Sequence, residues 1–87
     1  LQVDQHGGRA TILEFIQKVC QSMIDKPDYL SVSYQVGEQT TQFVIEVHKD
    51  DMGKLIGKNG QNIGSIRTLV TNIATKYQLR AVVLVEE

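Results

Sequence analysis

The sequence has one cysteine, Cys20, so no internal disulfide can form. It has no apolar run of 18 residues, so no membrane-spanning helix is expected. Its start, "LQVDQHGGRA", is polar throughout and lacks the pattern of a secretory signal. The two histidines, His6 and His48, have no spacing that links them to metal ligands or to a nucleophile. No acid–base–nucleophile set can be assembled. A catalyst is therefore not expected, nor is a metal or cofactor. Acid is missing from a long segment: residues 52–85 hold Lys54, Lys58, Arg67, Lys76 and Arg80 but no aspartate or glutamate.

What is present suits one small domain. At 87 residues, 41% hydrophobic and 22% charged, the chain can bury one modest core. Folding without disulfides or an evident metal suggests a reducing, cytoplasmic setting. The net charge of −1 hides an asymmetry. Residues 1–51 carry eight acids against four bases, whereas residues 52–85 carry five bases alone. Such a basic stretch attracts anions. The plainer reading is a set of solvated lysines.

Periodicity predicts the elements. Ile12, Phe15, Ile16, Val19, Cys20 and Met23 form one helical stripe. Thr11 and Glu14 have capping-box spacing, which sets the expected start near Thr11. Pro27 sets the stop. Residues 1–10 are read as a polar, disordered extension and residues 11–87 as the domain. Cys20 on this stripe reads as a small buried hydrophobe. "YLSVSYQV" and "QFVIEVH" alternate around a glycine-containing turn, as in an antiparallel hairpin. "DDMGKLI" reads as a short helix capped by Asp50. A longer helix follows over 61–77, with Ile63, Ile66, Val70, Ile73, Ala74 and Tyr77 on one stripe. "AVVLV" closes the chain as a buried strand. A helical crossover lets that strand lie parallel to "QFVIEVH". The expected fold is α+β, a three-stranded mixed sheet with three helices on one face.

The stretch "GKLIGKNGQNIGSI" bears on function. Its spacing fits neither a P-loop nor a dinucleotide fingerprint. What remains is Gly57-Lys58-Asn59-Gly60 between two helices. Two glycines permit positive φ and close approach to the backbone. The loop opens into a helix whose first N–H groups and dipole favour a phosphate. Lys58 adds a point charge at the tip, and Lys54 and Arg67 flank it. Ile56 and Ile63 offer apolar surface for bases. Each assignment has a plainer rival: a helix–helix turn for the glycines, core for the isoleucines and a solvated face for Arg67. Gly53 and Gly64 are assigned to packing between the two helices.

"LIGKNGQNI" is similar to the Ile-Gly-x-x-Gly-x-x-Ile core of the K-homology (KH) RNA-binding domain. The element order resembles the type II, bacterial form of that fold. "FIQKVCQSMIDKPD", "DDMGKLIGKNG" and "SIRTLV" look like the small single-KH bacterial proteins of the KhpA type. The resemblance implies a non-catalytic RNA binder, of the kind that acts as a chaperone or post-transcriptional regulator. Gly57, Lys58, Asn59 and Gly60 would clamp the backbone of about four single-stranded nucleotides. Lys54, Ile56, Gln61, Ile63 and Arg67 would complete the RNA site. The resemblance also implies a homodimer or a complex with a second KH protein of the KhpB/Jag type. The alternative is a protein-interaction module that keeps the fold and binds RNA weakly. Outward Val44 and the apolar "AVVLV" favour it.

Overall fold

A computed structural model describes residues 3–87. The elements run α1 (Gln5–Met23), β1 (Ser31–Val36), β2 (Thr41–Glu46), α2 (Met52–Ile56), α3 (Gln61–Lys76) and β3 (Ala81–Glu86). Short 3₁₀ turns at Pro27–Tyr29, Lys49–Asp51 and Lys58–Gly60 join them. The strand order is β1-β2-β3. β1 pairs antiparallel with β2, with Tyr34 opposite Phe43. β3 pairs parallel with β2, with Val83 opposite Phe43. This is the expected mixed sheet with three helices.

Alternation along β2 sets the layers. Thr41, Phe43 and Ile45 are buried, while Gln42 and Val44 are half-buried and Glu46 is exposed. On the buried side Phe43, Ile45 and Val83 join Ile12 and Ile16 of α1, Leu55 of α2 and Val70 of α3 in one core. Cys20 belongs to that core and is fully buried. Burial pushes its thiol up to about 11, so it is inert as a nucleophile near neutral pH. No helix among the described residues is long and apolar enough to cross a membrane.

The start of α1 departs from expectation. The helix begins at Gln5, so residues 5–10 form its first turns rather than a disordered extension. The cap is Asp4, whose Oδ1 accepts from the Gly7 amide at 2.8 Å. Thr11 instead donates its hydroxyl back to the Gly7 carbonyl at 2.9 Å. Tertiary contact holds these turns. Gly8 is buried where a Cβ would lie 2.5 Å from the Tyr77 ring. Gln5 Nε2 donates to the Gln78 carbonyl at 3.0 Å. Leu1 and Gln2, at the head of the expected extension, lie outside the described residues.

Helix α3 ends in a Schellman arrangement. The Leu79 amide donates to Ala74 and the Gln78 amide to Thr75, at 2.8 and 3.1 Å. This turn puts Gln78 at φ 55°, a left-handed conformation that costs a side-chain-bearing residue about 1–2 kcal/mol. Gln78→Gly removes that strain but adds chain entropy to the unfolded state. The expected net gain is about 0.5–1 kcal/mol, read as a higher urea midpoint at unchanged slope. A lower midpoint would show that the turn is not strained.

Candidate nucleic-acid interface

The loop between α2 and α3 is built on unusual backbone. Gly57 ends α2 at φ 78°, ψ 170°, a region open essentially to glycine alone. Asn59 and Gly60 follow at φ 56° and 74°, both left-handed. Two hydrogen bonds brace the turn: the Gly57 amide to the Gly53 carbonyl at 2.9 Å, and the Gly60 amide to the Gly57 carbonyl at 3.1 Å. Lys58 and Asn59 are exposed at its tip. Among the described residues no side chain caps α3, whose N-cap is Gly60. The positive end of a 16-residue helix therefore opens at the loop that carries Lys58. The Gln61 amide is occupied by the Lys58 carbonyl, and its side chain lies exposed at the helix start.

Asn62 completes this geometry and was not anticipated from the sequence. Its Nδ2 donates to the Lys54 carbonyl at 2.8 Å, tying the first turn of α3 back to α2. The same side chain fills the space beside Gly57. A Cβ there would meet Asn62 Cγ at 2.6 Å. A Cβ at Gly60 would meet nothing within 4 Å. The two loop glycines thus differ: one is needed for space and conformation, the other for conformation alone. Nothing in the sequence marks Asn62, because its role depends on the φ of Gly57.

The flanking residues divide. Lys54 pairs with the Asp25 carboxylate at the surface. Exposed pairs of this kind contribute about 0–1 kcal/mol, so the ammonium can exchange onto a phosphate at little cost. Ile56 is half-buried beside the loop. Ile63 corrects the expected base contact: it is 4% exposed and belongs to the core. Arg67, exposed on α3, reaches the sheet edge. Its Nε and Nη2 donate to the Val83 carbonyl at 3.2 and 3.0 Å. β3 is an edge strand with an outward row of carbonyls, and the guanidinium fork closes one of them. Gly53 and Gly64 are exposed with no neighbour near a built Cβ, which overturns their assignment to helix packing.

The acidic pair before α2 also differs from expectation. His48, not Asp50, caps the 3₁₀ turn, its Nδ1 accepting from the Asp50 amide at 3.1 Å. The Asp50 carboxylate instead accepts from Lys26 Nζ at 2.8 Å, and this bond and charge hold its pKa below the usual carboxylate range. Asp51 is 1% exposed. It accepts from the backbone amides of Asp25 and Lys26 at 3.1 and 2.9 Å. That carboxylate anchors the segment after α1 to the start of α2, and so to the loop that follows.

Comparison with known proteins identifies the family. The family model described as KhpA/KhpB, KH domain, matches residues 13–85. The chain is 37% identical over 70 residues to the RNA-binding protein KhpA of Clostridium acetobutylicum, covering 80% of this chain and 93% of that one. It is 33% identical over 67 residues to the RNA-binding protein KhpA of Chlamydia pneumoniae, covering 77% and 86%. With the protein of that name from Borreliella burgdorferi it shares 34% identity over 76 residues, covering 87% and 89%. The matched span contains β1, β2, α2, α3, the glycine loop between those helices and all of β3 but its last residue, and the chain belongs to the KhpA/KhpB KH-domain family.

Proposed function

We propose that this protein binds single-stranded RNA, without catalysis, through the loop Gly57–Gly60 and the adjoining start of α3. The observation that carries the reading is the backbone itself. Two positive-φ glycines flank an exposed lysine and open onto a helix N-terminus with no side-chain cap. A sugar–phosphate chain can lie against bare backbone there, with Lys58 as the nearest charge. Lys54 and Gln61 extend the polar contact, and half-buried Ile56 borders it on the apolar side. The relatives' printed names support RNA as the ligand. A cytoplasmic role as an RNA chaperone or post-transcriptional regulator fits this reading.

The test is binding of a fluorescent single-stranded RNA at two salt concentrations, for the native chain and for Lys58→Asp/Asn59→Asp. The double change reverses the loop's charge. It is expected to weaken binding at least about tenfold and to flatten the salt slope by roughly 0.7 or more, the share of one phosphate contact on a single strand. Equal affinity for both proteins would remove the loop from the site.

A second reading rests on the outer face of α3. Leu69 is 48% exposed there, beside Gly64, Ser65 and Thr68 around a shallow hollow of about 580 Å3. An exposed leucine with small neighbours suits close approach of another helix. A second copy of this chain, or a KH protein of the KhpB/Jag type, is the partner this reading assigns. A stable oligomer with no measurable RNA binding by either protein would favour it over the first.

A further inference from the structure

At the end of α3 away from the glycine loop, three segments meet around a cleft of about 240 Å3. That end is about 24 Å from the loop along the helix. The segments are the first turns of α1, the β1–β2 turn and the α3–β3 turn. The cleft lining includes Gln5, Arg9, Glu38, Gln39, Thr40 and Arg80. Two arginines and one glutamate thus line the same cleft, among amide- and hydroxyl-bearing residues.

The arginines are under-used. Among the described residues neither Arg9 nor Arg80 forms an ion pair, and Glu38 pairs with neither. Arg9 Nε is shut off from solvent and has no hydrogen-bond partner. An orphaned donor of this kind is costly, and an anion in the cleft that draws the Arg9 guanidinium toward it recovers that cost. The turn that carries Arg80 is held in place, because the Thr41 amide donates to the Arg80 carbonyl at 2.8 Å. Gln5 and Arg9 precede residue 13, where the family match begins. The cleft therefore depends on the early turns of α1 that lie outside the matched span.

We propose that this cleft is a second anion site, separate from the glycine loop, that takes a terminal phosphate dianion. Such a group offers three acceptor oxygens and nearly two charges near neutral pH. Two guanidinium forks with amides and hydroxyls around them supply more donors than the two oxygens of a carboxylate can use. The phosphate comes either from a free small molecule or from the phosphorylated end of an RNA strand.

The experiment is a titration of the full chain with inorganic phosphate at constant ionic strength, followed by nitrogen–proton correlation spectra that include the arginine Nε–H signals. Saturable shifts are expected at Arg9 Nε–H and at the backbone of Gly37–Thr40. Arg80→Gln is expected to weaken the effect at least about tenfold, and Arg9→Lys, which keeps the charge but loses the fork, to weaken it too. Glu38→Gln should tighten it. Lys58→Asp/Asn59→Asp should leave it unchanged, which keeps this result independent of RNA binding at the loop. Tighter binding of 5′-phosphorylated than 5′-hydroxyl RNA, lost in Arg80→Gln, assigns the strand end. Equal RNA binding with saturation by adenosine monophosphate assigns the free molecule. Shifts that do not saturate, that acetate or chloride reproduces, or that Arg80→Gln leaves intact overturn the proposal.

Discussion

Gly57→Ala is expected to lower the unfolding free energy by about 3 kcal/mol, and Gly60→Ala by about 1 kcal/mol. The difference follows from what surrounds two similar φ values. At Gly57 the φ 78°, ψ 170° conformation costs a side-chain-bearing residue about 1–3 kcal/mol. The new Cβ also lands 2.6 Å from Asn62 Cγ. Asn62 must then move and give up its bond to the Lys54 carbonyl, a further loss of about 1 kcal/mol. At Gly60 the conformation is ordinary left-handed helix, and open space receives the methyl group. Urea denaturation of the two variants measures the contrast. Equal losses would show that conformation alone, and not the Asn62 contact, decides the cost. RNA binding by the folded Gly57→Ala protein should also fall, because a shifted Asn62 frees the start of α3 from α2.

Asp51→Ala should cost about 2–4 kcal/mol, visible as a melting temperature lower by roughly 10–20 °C. The carboxylate is 1% exposed and accepts two backbone amides. Its removal leaves both donors without a partner where water reaches them poorly. Asp51→Asn keeps one acceptor oxygen but turns an amide donor toward a donor, so it should fall between. Neighbouring Asp50 provides the control. Its bond to Lys26 is at the surface, where pairing contributes little. Lys26 depresses the Asp50 pKa, so that small contribution is present above the usual carboxylate range and fades as pH falls through the lowered value. Asp50→Ala should therefore leave the melting temperature almost unchanged. Similar shifts for both substitutions would contradict the assignment of Asp51 as the buried anchor.

Long periodic segments were legible in the chain because burial acts on many residues at once. The stripe Ile12–Ile16–Cys20 and the alternation Phe43–Ile45–Val47 each point one way, and all six residues lie in the core. Element ends were harder. Thr11 and Glu14 have the spacing of a cap, yet α1 starts six residues earlier at Gln5. Gly8 against Tyr77 and Gln5 against Gln78 hold the extra turns, with contacts about 70 residues apart along the chain. Local spacing carries no record of such contacts. Asp50 and Asp51 are adjacent and chemically alike. One is exposed and the other buried only because the end of α1 packs over the second.

The same boundary runs through the candidate site. The positive φ of Gly57 and Gly60 was readable because glycine adopts it without strain, and that preference is local. The resemblance of "LIGKNGQNI" and its flanking stretches to the KH family pointed the same way, and the family match over residues 13–85 shows it. Ile63, Arg67 and Asn62 were decided by tertiary structure. Ile63 has the helical phase of a core residue and also the position of a groove residue, and packing against the sheet selects the core. Arg67 sits on a basic stretch, but the unpaired edge of β3 brings the Val83 carbonyl to its guanidinium. Asn62 matters because α2 ends where its amide can reach. Local conformational preference and hydrophobic period are written residue by residue. Which donor meets which acceptor depends on chain segments that only folding brings together.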